Sequence, residues 1–263
     1  MLTPILLGLF AFLLAFINDG LGGGYGTLGS PSLLLFGYAP TVAVPSILTS
    51  EAFSESFSSV WHGKFKNINY RTFAFTTIGG VIGILVAVYA IGVFLTATSA
   101  KLYIGGIATV MGLFVIVRSF YTVSKAAPAP STPPTPKNTN RPLTFLLGII
   151  CGFNKSSTGG GYGPLSTSSY QALGLEPPKA VGTTILSKGV ACIISIILWA
   201  GLVGIDWSMA APMTIGAFIG APIASWVNNY FKLKITPPFH GLLLGFVMSG
   251  LGVYTVIHIL GVV

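Results

Sequence analysis

The sequence predicts an all-α polytopic membrane protein built from two inverted repeats, each with a short broken-helix hairpin followed by three transmembrane helices. The first reason is composition: of 263 residues only 7% are charged and 52% are hydrophobic, whereas about a quarter of the residues in a soluble domain are charged. The second reason is a duplicated glycine block. Its first copy is Gly22, Gly23, Gly24, Tyr25 and Gly26, and its second copy, 137 positions later, is Gly159, Gly160, Gly161, Tyr162 and Gly163.

The duplication extends beyond the glycines. The same ungapped shift pairs Pro40 with Pro177 and Ser50 with Ser187, and a register held over so long a stretch indicates two copies of one unit. The segment between the copies is polar and rich in proline, which is typical of a linker. We therefore expect a first transmembrane repeat at 1–123, a linker at 124–142 and a second transmembrane repeat at 143–263.

Each repeat contains three apolar runs that are long enough to cross a membrane. These runs are Thr41 to His62, Thr72 to Thr96 and Lys101 to Phe120 in the first repeat, and Lys179 to Leu202, Met209 to Tyr230 and Phe239 to Val262 in the second. The first apolar segment, 5–17, runs into Asn18 and Asp19 rather than a small-residue cleavage site. We therefore expect it to belong to the mature protein.

The basic residues predict the orientation. The formal net charge is +8, but the bases lie mostly in short loops between apolar runs, which favours the positive-inside rule over nucleic-acid binding. Ten of the 13 bases fall on one side of the predicted topology: Lys64, Lys66, Arg71, Arg118, Lys125, Lys137, Arg141, Lys179, Lys232 and Lys234. This count predicts a multi-pass protein of the cell (inner or plasma) membrane, with a cytoplasmic linker and with Asp206 outside, so that the two repeats have opposite topology.

The short segments that flank each glycine block are marginal for crossing about 30 Å of hydrocarbon. We expect each pair, 5–17 with 28–36 and 143–153 with 165–173, to form a hairpin that turns near the glycines. Two such hairpins bring both glycine blocks to the membrane centre, where backbone N–H groups and helix N-termini favour an anion. The alternative is that the glycines only allow close helix packing.

Five ionisable residues fall at apparent membrane depth: Asp19, Glu51, Glu55, Lys155 and Lys188. Such residues are candidates for function because a charge at a helix centre costs about 2.5–3.5 kcal/mol. The repeat shift places Glu51 opposite Lys188, so the two can also be a structural pair. Glu51 and Glu55 lie four residues apart on one helical face and are candidates for proton coupling.

Other chemistry is not indicated. Cys151 and Cys192 lie in apolar stretches without metal or disulfide spacing, and no nucleophile–base pair or metal-ligand cluster stands out. We expect no enzyme activity, no metal and no cofactor. His62 ends a span beside Lys64 and Lys66, where it is either an interfacial residue or a gate.

Three motifs together resemble the sulfite exporter family, often called TauE/SafE-like. They are the repeated glycine block, the Ala-Val with its Thr/Ser-rich stretch (43–50 and 180–187), and the segment from Trp199 to the Gly-Ile-Asp-Trp that ends at Trp207. The resemblance implies transport of sulfur-containing anions such as sulfite, thiosulfate and organosulfonates. It places the family's glycine motif on the two glycine blocks and its His-then-Asn-aromatic segment on His62 with Asn69 and Tyr70.

The leading hypothesis is a secondary transporter, an exporter, in which one repeat moves against the other to give alternating access. Its partners are the lipid bilayer, a small sulfur-containing anion and, if transport is coupled, protons. The alternatives are an anion channel of the same architecture and a membrane scaffold that moves no solute; the oligomeric state stays open. The predicted anion ligands are both glycine blocks with Lys155, Ser156, Ser157, Thr158, Ser187 and Lys188.

Overall fold

The protein is all-helical throughout the part of the chain that the structure describes. The structure is a computed structural model that describes residues 3–21, 23–124, 140–231 and 237–261, and within these ranges it contains ten α-helices, one π-helical turn and no strand. The helices are α1 (Pro4–Leu21), α2 (Tyr25–Leu35), α3 (Pro40–Lys64), α4 (Tyr70–Tyr89), α5 (Ala97–Ser124), α6 (Arg141–Thr158), α7 (Tyr162–Ala172), α8 (Pro177–Leu202), α9 (Trp207–Phe231) and α10 (Pro237–Ile259). The predicted all-α class is confirmed.

The helix boundaries follow the register of the sequence repeat. α1 and α6 each contain 18 residues, and α2 and α7 each contain 11. The first residues of α1 and α6, of α2 and α7, of α3 and α8, and of α4 and α9 all differ by 137 positions, the shift of the glycine block. Gly24 and Gly161 precede α2 and α7 with φ of 114° and 75°, the left-handed region that glycine adopts at little cost.

The helices form two series, α1–α5 and α6–α10, and most helices of one series pack against a helix of the other. α1 packs along α9 and α6 packs along α4, while α3 and α8 contact each other, as do α5 and α10. Glycine makes the closest of these contacts, because a Cβ on Gly83 of α4 would overlap the carbonyl of Ile149 of α6, and one on Gly216 of α9 would overlap the carbonyl of Gly8 of α1. Such small-residue contacts are the usual way that helices approach closely in lipid. The opposite orientation of the two series in the membrane stays a prediction.

Five of the described helical segments are long and apolar enough to span a membrane: Tyr70–Phe94, Ala97–Phe120, Pro177–Leu202, Trp207–Ala224 and Gly241–Ile259. They correspond to five of the six predicted long runs. The sixth run forms α3, which has 25 residues but is less apolar because it carries Glu51, Glu55 and several hydroxyl residues. Its charges are enclosed by the other helices, so the polar helix is accommodated inside the protein.

The hairpin helices α1 and α6 are longer than the sequence suggested. They continue through Asn18–Leu21 and Asn154–Thr158, so the predicted ends at residues 17 and 153 are wrong. The apolar pattern stops at those points, but buried hydrogen bonds replace it: Thr158 Oγ1, for example, donates to the Asn154 carbonyl over 2.7 Å. With 18 residues and about 1.5 Å of rise per residue, each reaches about 27 Å.

Some predicted features lie outside the described residues. They are Gly22, most of the linker (125–139), and Lys232 and Lys234. The cytoplasmic position of the linker therefore stays a prediction.

Candidate functional site

The two glycine turns touch each other at the centre of the protein. The Gly161 N–H, which precedes α7, donates to Thr27 Oγ1 of α2 over 2.8 Å. A Cβ on Gly26 would overlap the Gly159 carbonyl, and a Cβ on Gly160 would overlap the backbone of Thr27. The backbones meet at distances that only glycine allows, so close packing is one role of the glycine blocks.

A buried cluster of four charges lies beside this crossing. Its members, which we call the charge cluster, are Glu51 and Glu55 of α3, Lys155 of α6 and Lys188 of α8. Lys155 Nζ forms an ion pair with Glu51 Oε2 and also donates to the Gly159 carbonyl over 2.6 Å. Lys188 Nζ lies 3.0 Å from Glu51 Oε1 and 2.5 Å from Glu55 Oε1.

The charge cluster is electrically neutral and almost fully buried. The exposed fractions are 2% for Glu51, 4% for Glu55, 1% for Lys155 and 6% for Lys188. Two positive and two negative charges cancel, and each ammonium contacts at least one carboxylate, which is how buried charges are tolerated. The pairing of Glu51 with Lys188 that the repeat register suggested is therefore present, and it extends to Lys155 and Glu55.

A cavity of about 250 Å³, which we call the access chamber, reaches the charge cluster from one side. Glu55 and Lys188 lie at its inner end, and from there it extends between the second half of α3 and the first half of α8. The chamber is lined by Asn18, Gly23, Glu55, Ser58, His62, Gly163, Thr167, Val181, Thr184, Ile185 and Lys188. Its lining combines one ammonium, one carboxylate and several hydroxyl groups with two aliphatic side chains.

A second, much smaller cavity lies deeper, between the glycine turns and the charge cluster. Its volume is about 10 Å³, and its lining includes Glu51, Lys155 and Lys188. This is about the space that one water molecule requires. Of these two cavities, Lys188 lines both and Lys155 lines the small one, so Lys188 is the lysine that faces the larger space.

The N-terminus of α7 also faces the access chamber. Gly163 is the second residue of α7 and lines the chamber, and a Cβ there would meet no atom within 4 Å. Its counterpart Gly26 is instead sealed against Gly159. Because the first N–H groups of a helix lack intrahelical partners and carry a partial positive charge, this end of α7 adds to the field of Lys188.

The structure brings most of the predicted site residues together. Glu51, Lys155 and Lys188 and the described glycine-block residues other than Gly159 line the small cavity, Gly159 accepts from Lys155, and Glu55 and His62 line the access chamber. The buried Nδ1 of His62 has no hydrogen-bond partner among the described residues. Asp19 lies in the last turn of α1, and its side chain, like all of Gly22, falls outside what the structure describes.

Four predicted hydroxyl ligands, like Gly159, line neither cavity. Ser156, Ser157, Thr158 and Ser187 are buried; Ser157 bonds Tyr103, and Thr158 accepts from the Gly160 N–H. Their place in α6 and α8 turns them towards neighbouring helices, so they shape the site without facing its open space.

Six chamber residues were not predicted: Asn18, Ser58, Thr167, Val181, Thr184 and Ile185. The spacing of residues along α3 and α8 could have predicted some of them. On α3 the lining residues are Glu55, Ser58 and His62, and on α8 they begin at Val181 and end at Lys188, which is the three- and four-residue spacing of one helical face. Asn18 is also the repeat counterpart of Lys155.

The described residues contain no group of three or more His, Cys, Asp or Glu side chains that could hold a metal ion. Cys151 and Cys192 are buried free thiols.

Comparison with known proteins gives one family. The family model described as "Sulfite exporter TauE/SafE" matches residues 7–255. The chain is 32% identical over 243 residues to a probable membrane transporter protein, YtnM, of Bacillus subtilis, which covers 90% of this chain and 78% of that protein. It is 26% identical over 234 residues to a second probable membrane transporter of that organism, YjnA, with coverage of 87% and 90%. No solved structure matches the chain.

Proposed function

The chain belongs to the TauE/SafE sulfite exporter family, and from this premise we propose that it is a secondary transporter that exports a small sulfur-containing anion such as sulfite, thiosulfate or an organosulfonate. The observation that carries the proposal is the access chamber, which has room for such an anion and ends at the buried ammonium of Lys188. Membrane transport itself agrees with both relatives described above.

The inner end of the chamber suits a sulfur–oxygen head group. Lys188 Nζ supplies a charge-assisted donor, and Gly163 marks the positive end of α7. The Thr184 hydroxyl accepts from Thr167 Oγ1 over 3.0 Å, so its own proton can serve as a neutral donor. Donors that converge in a place shielded from water act more strongly than they do at a surface. The aliphatic wall formed by Val181 and Ile185 accommodates an organic substituent on the anion.

Charge balance couples anion binding to a proton. Glu55 Oε1 lies 2.5 Å from Lys188 Nζ, so an arriving anion competes with that carboxylate, and a monovalent anion would add one negative charge to a neutral cluster. For a monovalent anion, a proton on Glu55 removes both costs, because it neutralises the competing carboxylate and keeps the sum of charges at zero. Among the described residues, the titratable or charged groups near Glu55 include Lys188 and the buried thiol of Cys192 on α8, Lys155 of α6, and Glu51 and His62 of its own helix. We propose Glu55 as the proton carrier.

Alternating access is favoured over an open channel by the sealed side of the charge cluster. Beyond the small cavity the neighbouring side chains, including Ile47 and Trp199, are fully buried. A channel requires a continuous path, whereas a transporter needs only one open side at a time.

The proposed direction is export. The access chamber leads from Lys188 towards His62 and Val181, the helix ends that the distribution of basic residues predicts to be cytoplasmic, and that is where an exporter collects its substrate. An inside-negative potential expels an uncoupled anion with about 2.3 kcal/mol per charge per 100 mV. When a proton accompanies a monovalent anion, transport is electroneutral and the two concentration gradients set its direction.

Ligand binding to the purified protein tests the function. Sulfite, thiosulfate and ethanesulfonate are titrated calorimetrically, and uptake of the binding anion into proteoliposomes is then measured. At least one of them should bind, and its flux should saturate with concentration. Absence of binding by all three would remove the substrate class, and flux that rises without saturation would favour a channel; a scaffold would give neither binding nor flux.

The Glu55→Gln variant tests the proton carrier. A glutamine keeps the shape of the side chain but neither competes as an anion nor titrates. We expect anion binding by Glu55→Gln to lose its dependence on pH, and a pH gradient to cease driving accumulation in proteoliposomes, while exchange of labelled for unlabelled anion persists. The exposed Glu176→Gln, whose partner is Lys179, is the control. If both variants respond to pH as the wild type does, Glu55 is not the carrier.

A further inference from the structure

The access chamber uses only half of α3 and half of α8. Its lining comes from the part of α3 that follows Glu51 and from the part of α8 that precedes Lys188. The first half of α3 and the second half of α8 therefore lie on the opposite side of the charge cluster, since both helices pass through it and pack against each other.

The repeat shift of 137 positions relates the second half of α3 to the second half of α8, and the first half of α8 to the first half of α3. It relates Lys188 to Glu51 and, on the chamber side, Glu55 to Cys192, Ser58 to Ser195, and His62 to Trp199. It also relates Val181, Thr184 and Ile185 to Val44, Ile47 and Leu48. The access chamber thus has a complete set of repeat counterparts on the far side of the charge cluster.

The two sets differ sharply in exposure. Val181 is 37% exposed, and Ser58, His62 and Ile185 are partly exposed, whereas Glu55 and Thr184 at the inner end are each 4% exposed. By contrast, Val44, Ile47, Leu48, Cys192, Ser195 and Trp199 are all 0% exposed. Two copies of one unit thus hold the same elements in an open arrangement on one side and a closed arrangement on the other.

We call the exposed chamber residues the open set and their buried repeat counterparts the closed set, and Trp199 is the largest side chain in the closed set. It replaces His62 of the open set, is fully buried, and its Nε1 donates to the Ser156 carbonyl over 3.1 Å. Ser156 adjoins Lys155 in α6, so the indole packs against the same turn of α6 that carries one lysine of the charge cluster. Ser30, the counterpart of the chamber residue Thr167, is also 0% exposed, and its hydroxyl has no hydrogen-bond partner among the described residues. An unpaired buried hydroxyl is costly, and hydration in another conformation would satisfy it.

We propose that the protein has a second access chamber, lined by these repeat counterparts, which is closed here by Trp199 and opens to the opposite side of the membrane. It takes the same anion, and it presents Lys155, because the shift places Lys155 where the access chamber has Asn18. Each lysine then serves one side: Lys188 receives the anion from the access chamber, and Lys155 faces it when the second chamber is open. The proposal rests on the proposed transport function, since only alternating access requires both chambers.

Native Cys192 is a reporter for the second chamber, and a cysteine at position 58 is a reporter for the access chamber. The first protein carries Cys151→Ser, and the second carries Ser58→Cys with Cys151→Ser and Cys192→Ser. Both are treated with a membrane-impermeant cationic methanethiosulfonate, in intact cells and in inverted vesicles, with and without ethanesulfonate. A cationic reagent avoids mimicry of the substrate, and ethanesulfonate, unlike sulfite, does not consume the reagent.

We expect the two thiols to be labelled from opposite sides. Removal of the indole in Trp199→Ala should raise the labelling rate of Cys192 by about tenfold or more and lower that of the Ser58→Cys thiol, as a shift between two states requires. Trp207→Ala, at an exposed tryptophan, should change neither rate. In a second arm, the labelling rates of both thiols are measured with and without ethanesulfonate in proteins that retain Trp199, so this comparison does not depend on the folding of Trp199→Ala.

Labelling of Cys192 from the same side as the Ser58→Cys thiol would overturn the second chamber, and so would no labelling of Cys192 in either arm while the Ser58→Cys thiol reacts. The proposed function can fail separately. If ethanesulfonate binds and is transported while Cys192 stays unreactive, only the second chamber is wrong. If no tested anion binds but Cys192 reacts from the opposite side in Trp199→Ala, the second chamber stands and the substrate class is wrong.

Discussion

At the scale of single residues, the two lysines of the charge cluster are both buried but contact different groups. Lys155 contacts one carboxylate, Glu51, and the Gly159 carbonyl, and it faces a cavity for about one water molecule. Lys188 contacts both carboxylates and faces the access chamber. Both lysines were predicted to bind the anion, and this stays a prediction; of the two, Lys188 lines the larger of the two cavities.

Charge-matched double variants separate binding from stability. Removing one partner of a buried ion pair costs about 3–5 kcal/mol, so Lys188→Met or Lys155→Met alone should lower the thermal denaturation midpoint. Removing a carboxylate as well, in Lys188→Met/Glu55→Gln and Lys155→Met/Glu51→Gln, should restore much of it. We expect calorimetry to show loss of anion binding only in the variant that lacks Lys188, while transport is lost in both. Equal binding by the two double variants would contradict this assignment, and Lys179→Met, at an exposed pair, is the control.

At the scale of helices, the two glycine turns serve different purposes although their sequences match. At the start of α2, Gly26 packs against the backbone of the other turn; at the start of α7, Gly163 has open space and lines the access chamber. The packing role is thus seen at Gly26, while the ligand role stays a proposal that fits the open space at Gly163.

The same substitution at these two glycines should have opposite effects. Gly26→Ala places a methyl group onto the Gly159 carbonyl and should destabilise the protein by about 1–3 kcal/mol, as overpacking does. Gly163→Ala fits without overlap, so its denaturation midpoint should stay close to that of the wild type, but its methyl group enters the chamber near Lys188. We expect it to weaken anion binding by about tenfold, or about 1.4 kcal/mol.

Gly106→Ala on α5, where a Cβ also meets no atom within 4 Å, is the control for helix propensity. If Gly163→Ala binds the anion as tightly as Gly106→Ala does, the N-terminus of α7 is not part of the anion site.

At the scale of the whole molecule, the two helix series pack against each other around a single charge cluster; the access chamber reaches it from one side, and the second chamber that we propose would reach it from the other. α3 and α8 cross this cluster, while α1 and α6 each pack along the fourth helix of the other series. The three ion pairs of the charge cluster join α3 of one series to α6 or α8 of the other, so the proposed movement of one series against the other rearranges these pairs as it changes which half of α3 and α8 is exposed. Inverted repeats in transporters work by this kind of exchange.

Opposite orientation of the repeats is tested by two thiols on a background without Cys151 and Cys192. In intact cells an impermeant thiol reagent should label Ser208→Cys, which lies at the exposed start of α9, and should spare Ser131→Cys in the linker. Disruption of the membrane should make both reactive. Labelling of the linker thiol from outside would reverse the proposed orientation, and equal labelling of both thiols in intact cells would contradict the inverted repeat.

The sequence by itself determined the class of the protein and the positions of its helices. Scarcity of charge identified lipid as the solvent, and the repeat shift anticipated that α6 and α7 copy the lengths of α1 and α2. These properties are local: composition, periodicity and glycine conformation act within a few residues of the chain. The five ionisable residues at membrane depth were found for the same reason.

Only the tertiary structure decided which charges meet and which of them a solute can reach. Glu51 and Lys155 are separated by 104 positions in the chain, and no repeat register pairs them; they meet because α3 and α6 pass the same glycine crossing. Identical glycine blocks became a sealed contact at Gly26 and an open surface at Gly163. The physical reason is that two repeats that share their helix pattern but differ in side chains, such as His62 and Trp199, pack asymmetrically, so that one half of α3 and α8 is open while the equivalent half is filled by Trp199.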